Sequence, residues 1–145
     1  ERTETLTAIL RELAKAKPVE AIKAAKAQLS GFDQVNVVRA AIAHWATRDY
    51  ESARHHANRS SDPQIRSVGM QTIALIQMKQ DPRSAIETAI GLLPANSNRV
   101  DHILLFTLKQ IFEHWFKTDK PDAMNWLNTD APASVRHYLS SGIRR

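Results

Sequence analysis

A nine-residue segment recurs along this chain, and it restricts the possible folds more than any other feature of the sequence. Three copies align without gaps, at 45–53, 77–85 and 115–123, and a weaker copy lies at 13–21. Each copy ends in alanine, and these alanines are separated by 32, 32 and 38 residues. Periods of this length are typical of stacked supersecondary units, so we expect a helical or mixed repeat protein.

Each copy has the composition of a helix end, a tight turn and the start of a second helix. Asp49, Asp81 and Asp119 precede the alanine by four residues, and Lys17 takes this place in the weaker copy. An aspartate side chain accepts hydrogen bonds from the free backbone N–H groups at a helix N-terminus, so these three residues are predicted to be N-caps. Pro82 is predicted to take the first position of the helix that follows.

Amphipathic stretches lie on both sides of each turn. Apolar residues upstream are spaced by three and four, as in Val38, Ile42 and Trp45, and this spacing indicates helices rather than strands. Alanine and leucine keep the same period downstream, and turn signals such as Asp62–Pro63 separate one pair from the next. We therefore predict an all-α superhelix, or solenoid, of about four helix-turn-helix repeats of 32–38 residues plus a final helix.

The repeat boundaries predict a single helical-repeat domain over residues 1–145. Its repeats are expected at about 1–31, 32–61, 62–96 and 97–131, followed by a partial repeat or a cap helix at 132–145. N-caps for first helices are expected at Asp62 and at Ser97 or Asn98. Because the last repeat lacks a second helix, we expect the chain to be part of a longer solenoid, unless its last helix covers an apolar face as a cap.

The segments Arg48–Ala53 and Gln80–Ala85 resemble the middle of a tetratricopeptide repeat. The resemblance covers all four repeats in length and helix order, with departures such as Ile73 and Ile111, where the family prefers a small residue. It implies a concave groove that binds peptides or partner proteins, without intrinsic catalysis. First helices line the groove in that family, so the resemblance implies partner contacts from their polar side chains.

The candidate partner-binding residues follow from this expectation. Four are polar residues of first helices that we expect to be exposed, namely Arg39, Gln71, Gln77 and Gln110. The fifth is Trp126 in a second helix, which lies beside Asn125 and off the stripe formed by Ala123 and Leu127, so it is a possible anchor for a partner.

The residue types that carry chemistry do not form a recognisable site. Cysteine is absent, and none of the six histidines has a second histidine four residues away, so neither a metal nor a cofactor is predicted. Asp49, Asp81 and Asp119 recur with every repeat, whereas an active site occurs once, so they are interpreted as caps and not as catalytic acids. The sequence therefore predicts a protein that is not an enzyme.

The charge and hydropathy of the chain limit its partners. Five arginines lie around the second repeat, at Arg39, Arg48, Arg54, Arg59 and Arg66. They could bind an acidic peptide or a phosphate backbone, but acidic residues lie among them. The net charge of +5 is spread over both halves, and no apolar run is long enough to span a membrane. The sequence predicts a soluble segment but leaves its compartment open, the cytoplasm or, if a signal segment has been removed, the periplasm. It also leaves the oligomeric state open.

The leading interpretation is a scaffold module that binds a protein or peptide. Two alternatives stay open, an accessory superhelical domain of a larger enzyme and salt-dependent binding of nucleic acid on a basic face.

Overall fold

A computed structural model describes residues 2–93 and 102–143, with side chains as far as residue 141. Nine α-helices and no strand lie within these two ranges, so the predicted all-α class is confirmed. The helices are α1 (Arg2–Ala16), α2 (Pro18–Gln28), α3 (Gly31–Arg48), α4 (Tyr50–Asn58), α5 (Pro63–Gln77), α6 (Pro82–Ile90), α7 (His102–Thr118), α8 (Lys120–Thr129) and α9 (Ala133–Ile143).

The chain divides into two compact parts, Glu1–Ile76 and Gln77–Arg145, which we call the N-terminal and C-terminal halves. In the N-terminal half α3 packs against α1, α2 and α4, and α1 also packs against α2. In the C-terminal half α7 packs against α6, α8 and α9. A single domain with repeats at the expected boundaries stays a prediction.

The aspartates of the repeated segment are N-caps, as predicted. Asp49 accepts a hydrogen bond from the backbone N–H of Ser52 (3.2 Å), and Asp81 and Asp119 accept the equivalent bonds at the starts of α6 and α8. Asp62 accepts bonds from two N–H groups at the start of α5. Lys17 makes no capping side-chain bond, in keeping with its weaker copy of the segment. The caps predicted at Ser97 or Asn98 lie outside the described residues.

The repeated alanines lie in the cores of the two halves. Ala21, Ala53, Ala85 and Ala123 are all fully buried. A side chain larger than a methyl group at these positions would separate the helices that meet there, since interiors are packed at close to crystal density. The repeated Asp-x-x-x-Ala segment thus combines a helix start with a close helix contact.

A second repeated feature is a polar side chain that hydrogen-bonds one helix pair to the next, and we call these residues the clamp residues. Gln34, Arg66 and Arg136 stand thirteen residues after Ala21, Ala53 and Ala123. Gln34 donates to the carbonyls of Ala25 and Leu29, and Arg66 donates to the carbonyl of Asn58. Arg136 donates to the carbonyls of Leu127 (2.9 Å) and Ala131 (3.0 Å).

Each clamp residue lies in a first helix and bonds the carbonyl end of the second helix before it. The last carbonyls of a helix lack N–H partners within that helix, so the clamp side chains supply donors where the backbone offers few. The carbonyl of Ala25 also accepts the backbone N–H of Leu29. The guanidinium groups of Arg66 and Arg136 also complement the negative end of the helix dipole. The fourth position in this register is residue 98, which lies outside the described residues.

The capping bonds also affect the acidity of two carboxyl groups. The hydroxyl of Ser52 donates to Asp49 at 2.6 Å, and this bond, followed by the backbone bond from the same residue, lowers the pKa of Asp49. Ser84 lowers the pKa of Asp81 in the same order of causes. Both carboxylates therefore stay charged at a pH where an unfolded aspartate begins to take up a proton.

We expect the double variant Asp49→Asn, Asp81→Asn to lose less stability in acid than the parent. A lowered folded pKa stabilises the protein above the unfolded value of about 3.9, and this contribution is lost as the pH falls through the folded pKa. Asparagine caps a helix about as well as aspartate but does not titrate. The drop in thermal midpoint between about pH 5 and about pH 2, followed by far-UV circular dichroism, should thus be smaller in the variant.

Glu87→Gln is the matched control, because Glu87 is an exposed acid in the middle of α6. It should keep the acid sensitivity of the parent. Equal pH profiles for the double variant and the parent would contradict the assignment.

Candidate interaction surfaces

The solvent side of α7 carries an exposed row of side chains that begins with two large apolar residues. Ile103 is 63% exposed and Phe106 is 58% exposed. Gln110, Glu113 and Lys117 continue the row at alternate spacings of four, three and four, which keeps all five on one helix face. We call this row the α7 stripe.

The α7 stripe follows from the amphipathic design of its helix. Leu104, Leu108 and Ile111 lie on the opposite face and are fully buried, so they fix the orientation of α7 against its neighbours. The buried face of α7 therefore holds the stripe toward solvent, and more than half of each apolar side chain at its start is exposed. Exposed apolar side chains that adjoin polar ones are typical of protein and peptide contact surfaces.

A shallow groove in the N-terminal half is the second candidate surface, and we call it the Trp45 groove. It forms where the turn between α1 and α2 faces the turn between α3 and α4, and its volume is about 430 Å³. Its lining comprises Ala16, Lys17, Pro18, Val19, Glu20, Trp45, Arg48 and Asp49. The half-buried indole of Trp45 forms the apolar part of the wall.

Three of the four charged residues of the Trp45 groove have partners within the chain. Lys17 pairs with Glu20 at 4.0 Å, and Asp49 is the cap of α4. Behind the wall, the ring centroid of His56 lies 5.2 Å from that of Trp45. Burial, and then the nearby charge of Lys23, lowers the pKa of His56, so this imidazole is neutral at pH 7. The groove thus offers an apolar wall with little net charge.

The structure separates the five predicted partner-binding residues into two groups. Arg39 on α3 and Gln110 on α7 are exposed, and Gln77 at the end of α5 is partly exposed. For these three, partner binding stays a prediction. Gln110 lies in the α7 stripe, directly after Phe106 in the row.

The expected exposure of Gln71 is wrong, and Trp126 is buried rather than available as a partner anchor. Gln71 is 8% exposed, and its amide donates to the hydroxyl of Ser67 one turn earlier in α5. Trp126 is 1% exposed, and its ring centroid lies 5.7 Å from that of Trp115 and 6.3 Å from that of Phe112. Trp126 follows Ala123 by three residues, so both side chains share the buried face of α8.

Three of the five arginines around the second repeat bond other residues of the chain. Arg54 pairs with Glu51 at 3.0 Å, Arg59 bonds His55, and Arg66 is a clamp residue. Arg39 and Arg48 are exposed. Since three of the five bond other residues of the chain, this arrangement favours a mixed polar surface over a phosphate-binding one.

Sequence reasoning missed the apolar end of the α7 stripe and the clamp residues. The signal for Ile103 and Phe106 was their position opposite Leu104 and Leu108 on the helical wheel. The signal for the clamps was a constant distance from the repeated alanine, which becomes visible only when positions beyond the nine-residue segment are aligned.

Within residues 2–93 and 102–143, the side chains of histidine, aspartate and glutamate do not gather in groups of three or more that could hold a metal ion. In the same ranges no helix combines the length and apolar character needed to cross a membrane. Comparison of the chain with known protein families, curated proteins and solved structures finds no match.

Proposed function

We propose that this chain is a non-enzymatic interaction module, a solenoid of helical hairpins similar to tetratricopeptide repeats, which binds a peptide or protein partner on the exposed faces of its first helices. The observation that carries the proposal is the α7 stripe, where Ile103 and Phe106 are exposed beside polar Gln110. The repeated caps, buried alanines and clamp residues support the repeat architecture.

The chemistry of the α7 stripe favours a short amphipathic partner. Its two apolar side chains can bury one or two large apolar residues of a ligand, and such contacts supply most of the affinity in small interfaces. Gln110, Glu113 and Lys117 offer a donor, an acceptor and a cation along the next two turns. Because both charge signs are present, the polar part selects orientation more than net charge.

We expect Phe106→Glu to weaken peptide binding by at least about tenfold, which corresponds to about 1.4 kcal/mol. Peptides would be selected from a random display library with the intact chain as bait, and the best one titrated against the ¹⁵N-labelled protein. Amide shifts should centre on α7, near Phe106 and Gln110. The substitution introduces a charge into the apolar contact while leaving the buried face of α7 untouched.

Phe32→Glu is the matched control, because Phe32 is an exposed phenylalanine of the N-terminal half, outside the α7 stripe. It should leave the affinity unchanged, and circular dichroism should show that both variants keep the parental helix content. The proposal would be abandoned if the library yielded no binding peptide, or if both substitutions weakened binding equally.

A further inference from the structure

One face of α1 repeats the sequence of a face that is buried elsewhere in the chain. Thr5, Leu6 and Ile9 of α1 form the pattern Thr-Leu-x-x-Ile, and Thr107, Leu108 and Ile111 of α7 form the same pattern. In both helices the isoleucine precedes the repeated alanine by twelve residues. The two triplets therefore hold equivalent positions in the first helices of the first and fourth repeats.

The two equivalent faces differ in burial. Thr107, Leu108 and Ile111 are all buried in the C-terminal half, where α7 packs against α6. Ile9 is 58% exposed, Thr5 is exposed and Leu6 is partly exposed. Ala41 and Ile73, which hold the position of Ile9 in α3 and α5, are fully buried. Among α1, α3, α5 and α7, only α1 exposes this position. We call Thr5, Leu6 and Ile9 the α1 face.

The helices that precede these faces show what kind of element covers such a position. In the N-terminal half α3 packs against α2, and in the C-terminal half α7 packs against α6. Both α2 and α6 begin with the pattern Pro-x-x-Ala-Ile-x-x-Ala, and the two alanines and the isoleucine are buried in each. A helix of this type therefore packs against the following first helix in both halves.

The charge at the start of α1 fits the same partner. Arg2 precedes Ala21 by nineteen residues, the distance that separates the clamp residues Gln34 and Arg66 from Ala53 and Ala85. Arg2 is exposed at that place. A guanidinium group there complements the negative carbonyl end of a helix, as Arg66 and Arg136 do within the chain.

We infer that the α1 face binds a helical hairpin whose second helix has the Pro-x-x-Ala-Ile-x-x-Ala pattern of α2 and α6. Thr5, Leu6 and Ile9 pack against its alanines, and Arg2 bonds its last carbonyls. A second copy of this chain is a poorer occupant. The last first helix, α9, has no exposed large apolar residue among its described side chains, and the carbonyl end of α8 is already bonded by Arg136.

The test measures the accessibility of position 9 directly. The chain contains no cysteine, so Ile9→Cys introduces a single thiol that a maleimide reagent can label in the native protein. A second version of this variant carries a duplicate of residues 1–32 immediately before Glu1, and this duplicate keeps its isoleucine so that the chain still has a single thiol. In that version position 9 follows the duplicated Ala21 by as many residues as Ala41 follows Ala21 in the parent chain. We expect labelling to be at least about tenfold slower in the duplicated chain, because the thiol becomes covered.

Glu12→Cys provides the matched control. His44 holds the equivalent position in α3 and is exposed, so a thiol at position 12 should label at the same rate with and without the duplicate. A duplicated chain that fails to fold, or one that labels at position 9 as fast as the parent, would overturn the inference. Labelling at position 9 of the parent that slows as protein concentration rises would show a second copy on this face, and would also overturn it. None of these three outcomes depends on peptide binding by the α7 stripe.

Discussion

Replacing Trp126 by alanine is expected to lower the free energy of unfolding by about 3–5 kcal/mol, the range measured for large aromatic truncations in protein cores. Its indole lies between α7 and α8, in contact with the rings of Trp115 and Phe112. Urea unfolding followed by far-UV circular dichroism gives the change without relying on tryptophan fluorescence.

The cavity left by this truncation cannot collapse easily. Trp115 is itself buried, and on another side of its ring the guanidinium carbon of Arg83 lies 5.6 Å from the ring centroid. Arg83 is in turn tied to Asp122 at 3.5 Å and to Asp130 at 3.3 Å. Because these contacts hold Trp115 in place, the surroundings relax little and the loss should fall in the upper part of the range.

Trp126→Phe separates a core role from a partner-binding role. Phenylalanine keeps the aromatic contact with Trp115 and most of the buried area, so this variant should recover more than half of the stability lost in Trp126→Ala. If Trp126 were a partner anchor, Trp126→Ala would weaken binding while leaving the unfolding transition unchanged. That pattern would contradict the buried position.

The helices and caps could be predicted from the sequence because each is decided within about ten residues. The spacing of apolar residues sets the helix period, and Asp49 or Asp81 satisfies N–H groups only three residues away. These local rules do not require knowledge of what packs against the helix. The starts of α4, α6 and α8 follow from them.

Burial of particular side chains was harder to predict, since it depends on which element covers each face. Trp126 carried a usable signal, because a residue three after Ala123 shares its face, whereas the sequence analysis considered only the spacing of four to Leu127. Ile103 and Phe106 look like core residues by type, and although they lie opposite Leu104 and Leu108 on the helical wheel, the packing of α7 decides which side is exposed. Ile9 and Ile111 are the same residue in the same register with opposite exposure.

The close contact between α4 and α5 shows the same dependence on packing. A Cβ atom added at Gly69 would lie 2.9 Å from the Cβ of Ala57 and 3.7 Å from Cγ1 of Ile42. The first distance is shorter than side-chain carbons tolerate, and the methyl group of Ala57 cannot rotate away because it is fixed to the helix backbone. Glycine at position 69 is therefore required by the approach of the two helices, although glycine disfavours a helix interior.

We expect Gly69→Leu to destabilise the fold by about 3 kcal/mol, since extra methylene groups in a packed interface force a backbone shift. Gly69→Ala tests whether an added methyl group stabilises or destabilises the fold at this position. In an exposed helix it would stabilise by about 0.5–1 kcal/mol, and here the contact with Ala57 should make it destabilising. The exchange variant Gly69→Ala, Ala57→Gly moves one methyl group from α4 to α5 and restores the space between them.

In a double-mutant cycle measured by urea unfolding, the exchange variant should therefore be more stable than the sum of its two single changes. Ala57→Gly alone should lose stability both as a helix glycine and as a lost contact. Additive effects of the two substitutions would mean that α4 and α5 do not meet at these residues. A positive coupling would instead place a close contact between α4 and α5 at a position where the sequence alone indicates only a weak point in a helix.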